Sequence, residues 1–113
     1  MKIHPGHLAY HIVQAARRRR TLTYAELGEA VGLIARGLGL HLAALETWCA
    51  ENGLPPLTLL VVKRDTGRPS DEGRYQGRRY GEMSPDEIDR LQREVFDHDW
   101  DRYGKVFAAR EPE

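Results

Sequence analysis

The 113-residue chain is long enough to bury one core and too short for two independent ones, and its 41% hydrophobic and 30% charged residues exclude a disordered composition. Its single cysteine, Cys49, excludes an internal disulfide; no Cys/His grouping has zinc-ligand spacing, and no stretch approaches a signal-peptide core or the roughly 18 apolar residues of a membrane span. The formal charge is zero, yet residues 1–70 carry nine Lys/Arg against five Asp/Glu, and residues 71–113 carry eight against twelve. A basic half therefore adjoins an acidic one, and the local field rather than the sum steers a charged ligand. These bounds imply a cytoplasmic protein without membrane attachment.

In chain order, Leu8, Ile12, Val13 and Ala16 recur at helical spacing and predict a helix from about Pro5 to Arg18. Arg17 to Arg20 close it; cations there complement the helix dipole, and the alternative is contact with phosphates. Thr23 followed by Glu26 is a capping box that opens a short second helix, buried through Leu27, Ala30 and Val31 and stopped by Gly32. A further helix is predicted from Ile34 or Ala35 to about Asn52, with Leu38, Leu42, Leu45 and Cys49 inward and Gly53 and Pro55 ending it. Two helices joined by a tight glycine link form a helix-turn-helix, with Arg36 at the front of its second helix.

The branched, apolar run from Leu57 to Lys63 reads as a mostly buried strand, and Asp65-Thr66-Gly67 as a turn. From Arg64 to Gly81 five arginines alternate with Tyr75, Tyr80 and several glycines, the composition of a mobile basic loop with aromatic platforms. Ser84, Pro85 and Glu87 mark a second capping box, and Ile88, Leu91, Val95 and Phe96 form the apolar stripe of a last helix. Its other face, with Asp86, Glu87, Asp89, Glu94, Asp97, Asp99 and Asp101, is expected to stay in water.

No reactive centre presents itself. His7 and His11 lie four apart beside His4, but no carboxylate follows in the pattern of a zinc protease helix. Asp97-His98-Asp99 belongs to a general acidic run. Cys49, flanked by Trp48 and Ala50, reads as a buried small hydrophobe, and no Walker, dinucleotide-binding or nucleophile-elbow motif is present. No cofactor, metal site or catalytic residue is expected.

Thr23-Tyr24-Ala25-Glu26-Leu27, then Ala35-Arg36-Gly37-Leu38-Gly39, then Val61-Val62 and Gly67 follow an order and spacing that resembles the DNA-binding domain of the alkylguanine-DNA alkyltransferases and alkyltransferase-like proteins, over residues 21–68. The resemblance implies that Tyr24 contacts a backbone phosphate and that Arg36 enters the base stack as a finger. The family's Pro-Cys-His-Arg box is replaced here by Leu57-Thr58-Leu59-Leu60. Neither an alkyl-accepting thiolate nor a base to generate one is present there, so alkyl transfer is not expected.

The expected fold is mainly α with a small β element: a winged-helix-like helix-turn-helix core over residues 1–70, a basic Gly/Tyr/Arg loop over 71–83, and an acidic carboxyl-terminal helix and tail over 84–113 packed on the core as one domain. The expected function is non-catalytic binding of double-stranded DNA. Lys63, Arg64, Arg68, Arg74, Arg78 and Arg79 would meet phosphates, Tyr24 and Arg36 taking the roles above. The alternative is a phage or mobile-element protein that inhibits a bacterial defence nuclease, of anti-CRISPR or anti-restriction type, through its acidic helix. That helix could also pair two copies as a homodimer.

Overall fold

The computed structural model describes residues 5–33 and 35–103, with the side chains of residues 5–7, 35, 36, 102 and 103 left undescribed. Helix α1 spans Pro5–Arg17, with proline at its first position, where the missing N–H costs nothing. Strand β1 (Leu22–Thr23) leads into α2 (Tyr24–Val31). The capping box is formed: the Thr23 hydroxyl accepts the Glu26 N–H at 3.1 Å, and the Glu26 carboxylate accepts the Thr23 N–H at 2.8 Å. At the other end Gly32 takes φ +78°, a left-handed conformation that a side chain would strain.

The second helix of the pair begins as a 3-10 turn, Ala35–Leu38, and becomes α-helical only as α3, Gly39–Glu51. The expected strand over 57–63 is mostly a different element. Leu57–Leu60 form a 3-10 turn entered from Pro56, and only Val61–Val62 are extended, as β2. All of these residues are buried, and complete burial erases the alternation that would separate a strand from a turn in sequence. Strand β2 pairs in parallel with β1, Leu22 against Val61 and Thr23 against Val62.

After β2 the chain reverses through the expected turn. The Lys63 N–H donates to Arg68 O at 2.8 Å, the Gly67 N–H donates to Lys63 O at 2.8 Å, and Val62 bridges Pro69 in antiparallel fashion. The segment read as a mobile loop holds a second hairpin, β3 (Arg74–Tyr75) against β4 (Arg78–Arg79). Gln76 and Gly77 turn it at φ +52° and +82°, the paired positive values that a two-residue hairpin with native twist requires.

Helix α4 (Pro85–Asp97) is capped by Ser84, whose hydroxyl accepts the Glu87 N–H at 3.1 Å. The reciprocal half of that capping box is not made, because the Glu87 carboxylate is held by Arg78. Ile88, Leu91 and Val95 face inward, and beyond the helix the buried Trp100 donates its indole N–H to Val95 O at 2.8 Å. The main core joins Leu8, Ile12, Leu27, Leu45, Leu60 and Val95, so α4 closes the same core that α1 to α3 build. The architecture is mainly helical with two short strand pairs.

Because the capping box fixes both the start of α2 and the geometry of β1, Thr23→Ala is expected to cost about 0.5–2 kcal/mol of stability. Urea denaturation should show a lower midpoint at unchanged slope; an unchanged midpoint would contradict the capping role.

Candidate nucleic-acid interface

The outward face of α3 is formed by Gly39, Leu40, Ala43, Ala44 and Thr47, all exposed, with Leu40 at 86% exposure. These residues are small or uncharged and permit close approach of a partner's backbone. The Arg36 backbone sits in the 3-10 turn that precedes them; its side chain lies outside the described residues.

A cleft of about 290 Å³ opens beside this face. Gly39, Ala43 and Glu46 of α3 form one wall, Lys63 at the start of the 63–69 reversal and Ser70 and Glu72 just beyond it form another, and Tyr24 of α2 lies between them. Tyr24 is half-buried, and its hydroxyl accepts the Ser70 N–H at 3.1 Å, which leaves its own O–H to donate. The front of α3 and the start of the basic segment thus border one concavity. Lys63 and Arg64 make no ion pair among the described residues.

Glu46 is the polar group that sequence reading missed. It lies between Leu42 and Cys49 on a helix otherwise uncharged from Gly39 to Ala50 apart from His41, and that flanking position of a buried stripe was the available signal. Burial pushes its carboxyl above the usual value, against the opposing pull of the Arg74 backbone N–H and the Thr58 hydroxyl, which donates to it at 3.1 Å. Thr58 also shares a 2.6 Å hydrogen bond with the Tyr80 hydroxyl, so a buried polar chain runs from the cleft into the core.

The structure changes the reading of the basic segment. Tyr80 is buried, and Tyr75 donates its hydroxyl to Leu54 O at 2.7 Å, so both rings anchor the β3–β4 hairpin instead of standing free as platforms. Arg68 pairs with Asp89 at 3.2 Å, Arg78 holds Glu87 through its two terminal nitrogens, with Nη2 to Oε1 at 3.0 Å, and Arg79 pairs with Glu82 at 3.0 Å. Arg74 is exposed next to the Glu46 carboxylate. Arg17 pairs with Asp101, and Arg19 pairs with Asp97 at 2.8 Å while lying over the Phe96 ring. Asp89, Asp97 and Asp101 of the acidic face stay exposed as expected, each beside an arginine of the basic half.

Comparison of the chain with protein families, characterised proteins and solved structures finds no match.

The remaining candidates for chemistry are quiet. Burial pushes the Cys49 thiol up to about 11, so it stays protonated at neutral pH. No group of three or more His, Cys, Asp or Glu suited to a metal ion occurs among the described residues; His4 and the His7 side chain lie outside them.

The direction of the Glu46 shift has a measurable consequence. The folded chain keeps this proton to a higher pH than the unfolded chain, so stability from this group is present below the ordinary value of 4.5 and is lost as pH rises through the folded value. Glu46→Gln is expected to remove that fall: the stability difference between variant and wild type should move in favour of the variant as pH rises from about 4.5. A pH-independent difference would contradict the assignment.

Proposed function

We propose that the protein is a non-catalytic binder of double-stranded DNA that applies the exposed front of α3 and the 63–68 reversal to the duplex as one surface. The observation that carries this reading is the cleft shared by Gly39, Tyr24 and Lys63, because it sets a helix-turn-helix and a basic turn side by side. Lys63 and Arg64 supply the phosphate contacts that position the protein. Arg36, three residues before Gly39, supplies the contact that discriminates between bases or lesions, as the resemblance to the alkyltransferase DNA-binding domain implies.

Arg68, Arg78 and Arg79 have a different part in this reading. Each is already matched by a carboxylate of the same chain, which leaves it less available to phosphates than Lys63 and Arg64. The inhibitor alternative rests on a free acidic face, and Glu87, Asp89, Asp97 and Asp101 are each bound to an arginine of the same chain.

Duplex binding measured at several salt concentrations tests the reading. Lys63→Ala and Arg64→Ala are each expected to weaken binding to all sequences alike and to flatten the log K against log salt plot by about one unit. Arg36→Ala should reduce discrimination between duplexes, whereas Arg78→Ala should leave affinity within about twofold and change stability little, as expected for an exposed pair. Binding that is absent, or insensitive to salt, overturns the reading.

A further inference from the structure

The four consecutive arginines do not act as one patch. Arg17 and Arg19 turn toward the carboxyl-terminal segment, to Asp101 and Asp97. Arg18 and Arg20 instead line a second cleft, of about 240 Å³, between α1 and the beginning of α2. They make no ion pair among the described residues.

The backbone produces this split at a local cost. The Arg20 N–H donates to Ala15 O at 2.9 Å and the Arg19 N–H to Ala16 O at 3.0 Å, the two bonds of a helix stop that normally places glycine at the left-handed position. Here that position is Arg19, at φ +52°. A non-glycine residue in this conformation is strained, and its ion pair with Asp97 and its contact with the Phe96 ring, 5.3 Å from the guanidinium carbon, hold it in place. The left-handed turn at residue 19, a conformation glycine adopts freely, leaves its two neighbours on the α1–α2 side.

Two further groups of the cleft can donate to an anion. Gln14 contributes a side-chain amide and Thr21 a hydroxyl, both able to donate. The one carboxylate lining it, Glu26, gives one oxygen to the Thr23 N–H and is held ionised by Thr23 and, to a smaller extent, by Arg20, so an anion would sit at the Arg18 and Arg20 end away from it. We propose that Arg18 and Arg20 form a binding site for a phosphate group in this cleft, with Gln14 and Thr21 as supporting donors. Guanidinium groups recognise phosphate oxygens by charge-assisted hydrogen bonds, and the volume accommodates a phosphate or pyrophosphate. The site is separate from the α3 surface and does not depend on the DNA reading. Its phosphate comes either from a free phosphate ester or from a nucleic-acid backbone.

The test is titration of the full chain with inorganic phosphate and with pyrophosphate, followed by amide and guanidinium NMR shifts. Saturable shifts at Arg18, Arg20 and Thr21 are expected, weakened at least about tenfold in the Arg18→Ala/Arg20→Ala double variant and unchanged in Arg19→Gly. Both variants alter exposed side chains, and circular dichroism confirms the fold. The source follows from a second arm with duplex DNA. Weaker DNA binding by the double variant, together with competition by pyrophosphate, assigns a backbone phosphate; unaltered DNA binding, or none in either protein, assigns a free ester. Shifts that do not saturate, or equal weakening by Arg19→Gly, would mean diffuse charge attraction and overturn the proposal.

Discussion

The pairing of Leu22 and Thr23 with Val61 and Val62 is the contact on which the rest of the arrangement depends. Thr23 caps α2, so one end of this two-residue ladder fixes where the first helix of the helix-turn-helix starts. Val62 leads into the turn that carries Lys63 and Arg64, so the other end fixes where the basic turn emerges. The ladder is too short to persist by its own hydrogen bonds. It holds because Leu57, Leu60 and Val61 are buried in the core against α1 and α3. Apolar burial, at about 1.5–3 kcal/mol for each large side chain, thus sets the geometry of a polar surface.

Opposite charges from distant parts of the neutral chain meet in the fold. Four ion pairs join an arginine of residues 17–78 to a carboxylate of residues 87–101, and each spans parts of the chain that α4 brings together by packing Ile88, Leu91 and Val95 inward. Exposed pairs of this kind add little stability singly. Their larger effect is on what stays available to a partner: Arg17, Arg19, Arg68 and Arg78 are paired within the chain, whereas Arg18, Arg20, Lys63 and Arg64 are among the cations that make no ion pair in the described residues.

Local signals were readable from sequence and distant ones were not. The Thr23/Glu26 box, the Gly32 stop and the Ser84 cap depend on residues within four positions of one another, and all three form where expected. The 57–60 turn was misread as strand because an unbroken apolar run carries no period. The β3–β4 hairpin was missed because its turn is Gln76-Gly77 and lacks the Asn-Gly or Asp-Gly pair that announces such turns. At the candidate site, Tyr24 and Lys63 were nominated from sequence, whereas Glu46 and Ser70 emerge only when α3 and the 63–70 segment meet. The pairings of Arg17 with Asp101 and of Arg68 with Asp89, 84 and 21 residues apart, leave no trace in local spacing.

The proposed DNA-facing surface joins the front of α3 to the 63–68 turn. The most direct measurement is a map of backbone amide shifts on addition of a short duplex. Gly39, Leu40, Ala43, Lys63 and Arg64 are expected to move together, with the outer residues of α4 still. Shifts confined to α4, or divided so that α3 responds without the turn, would contradict it.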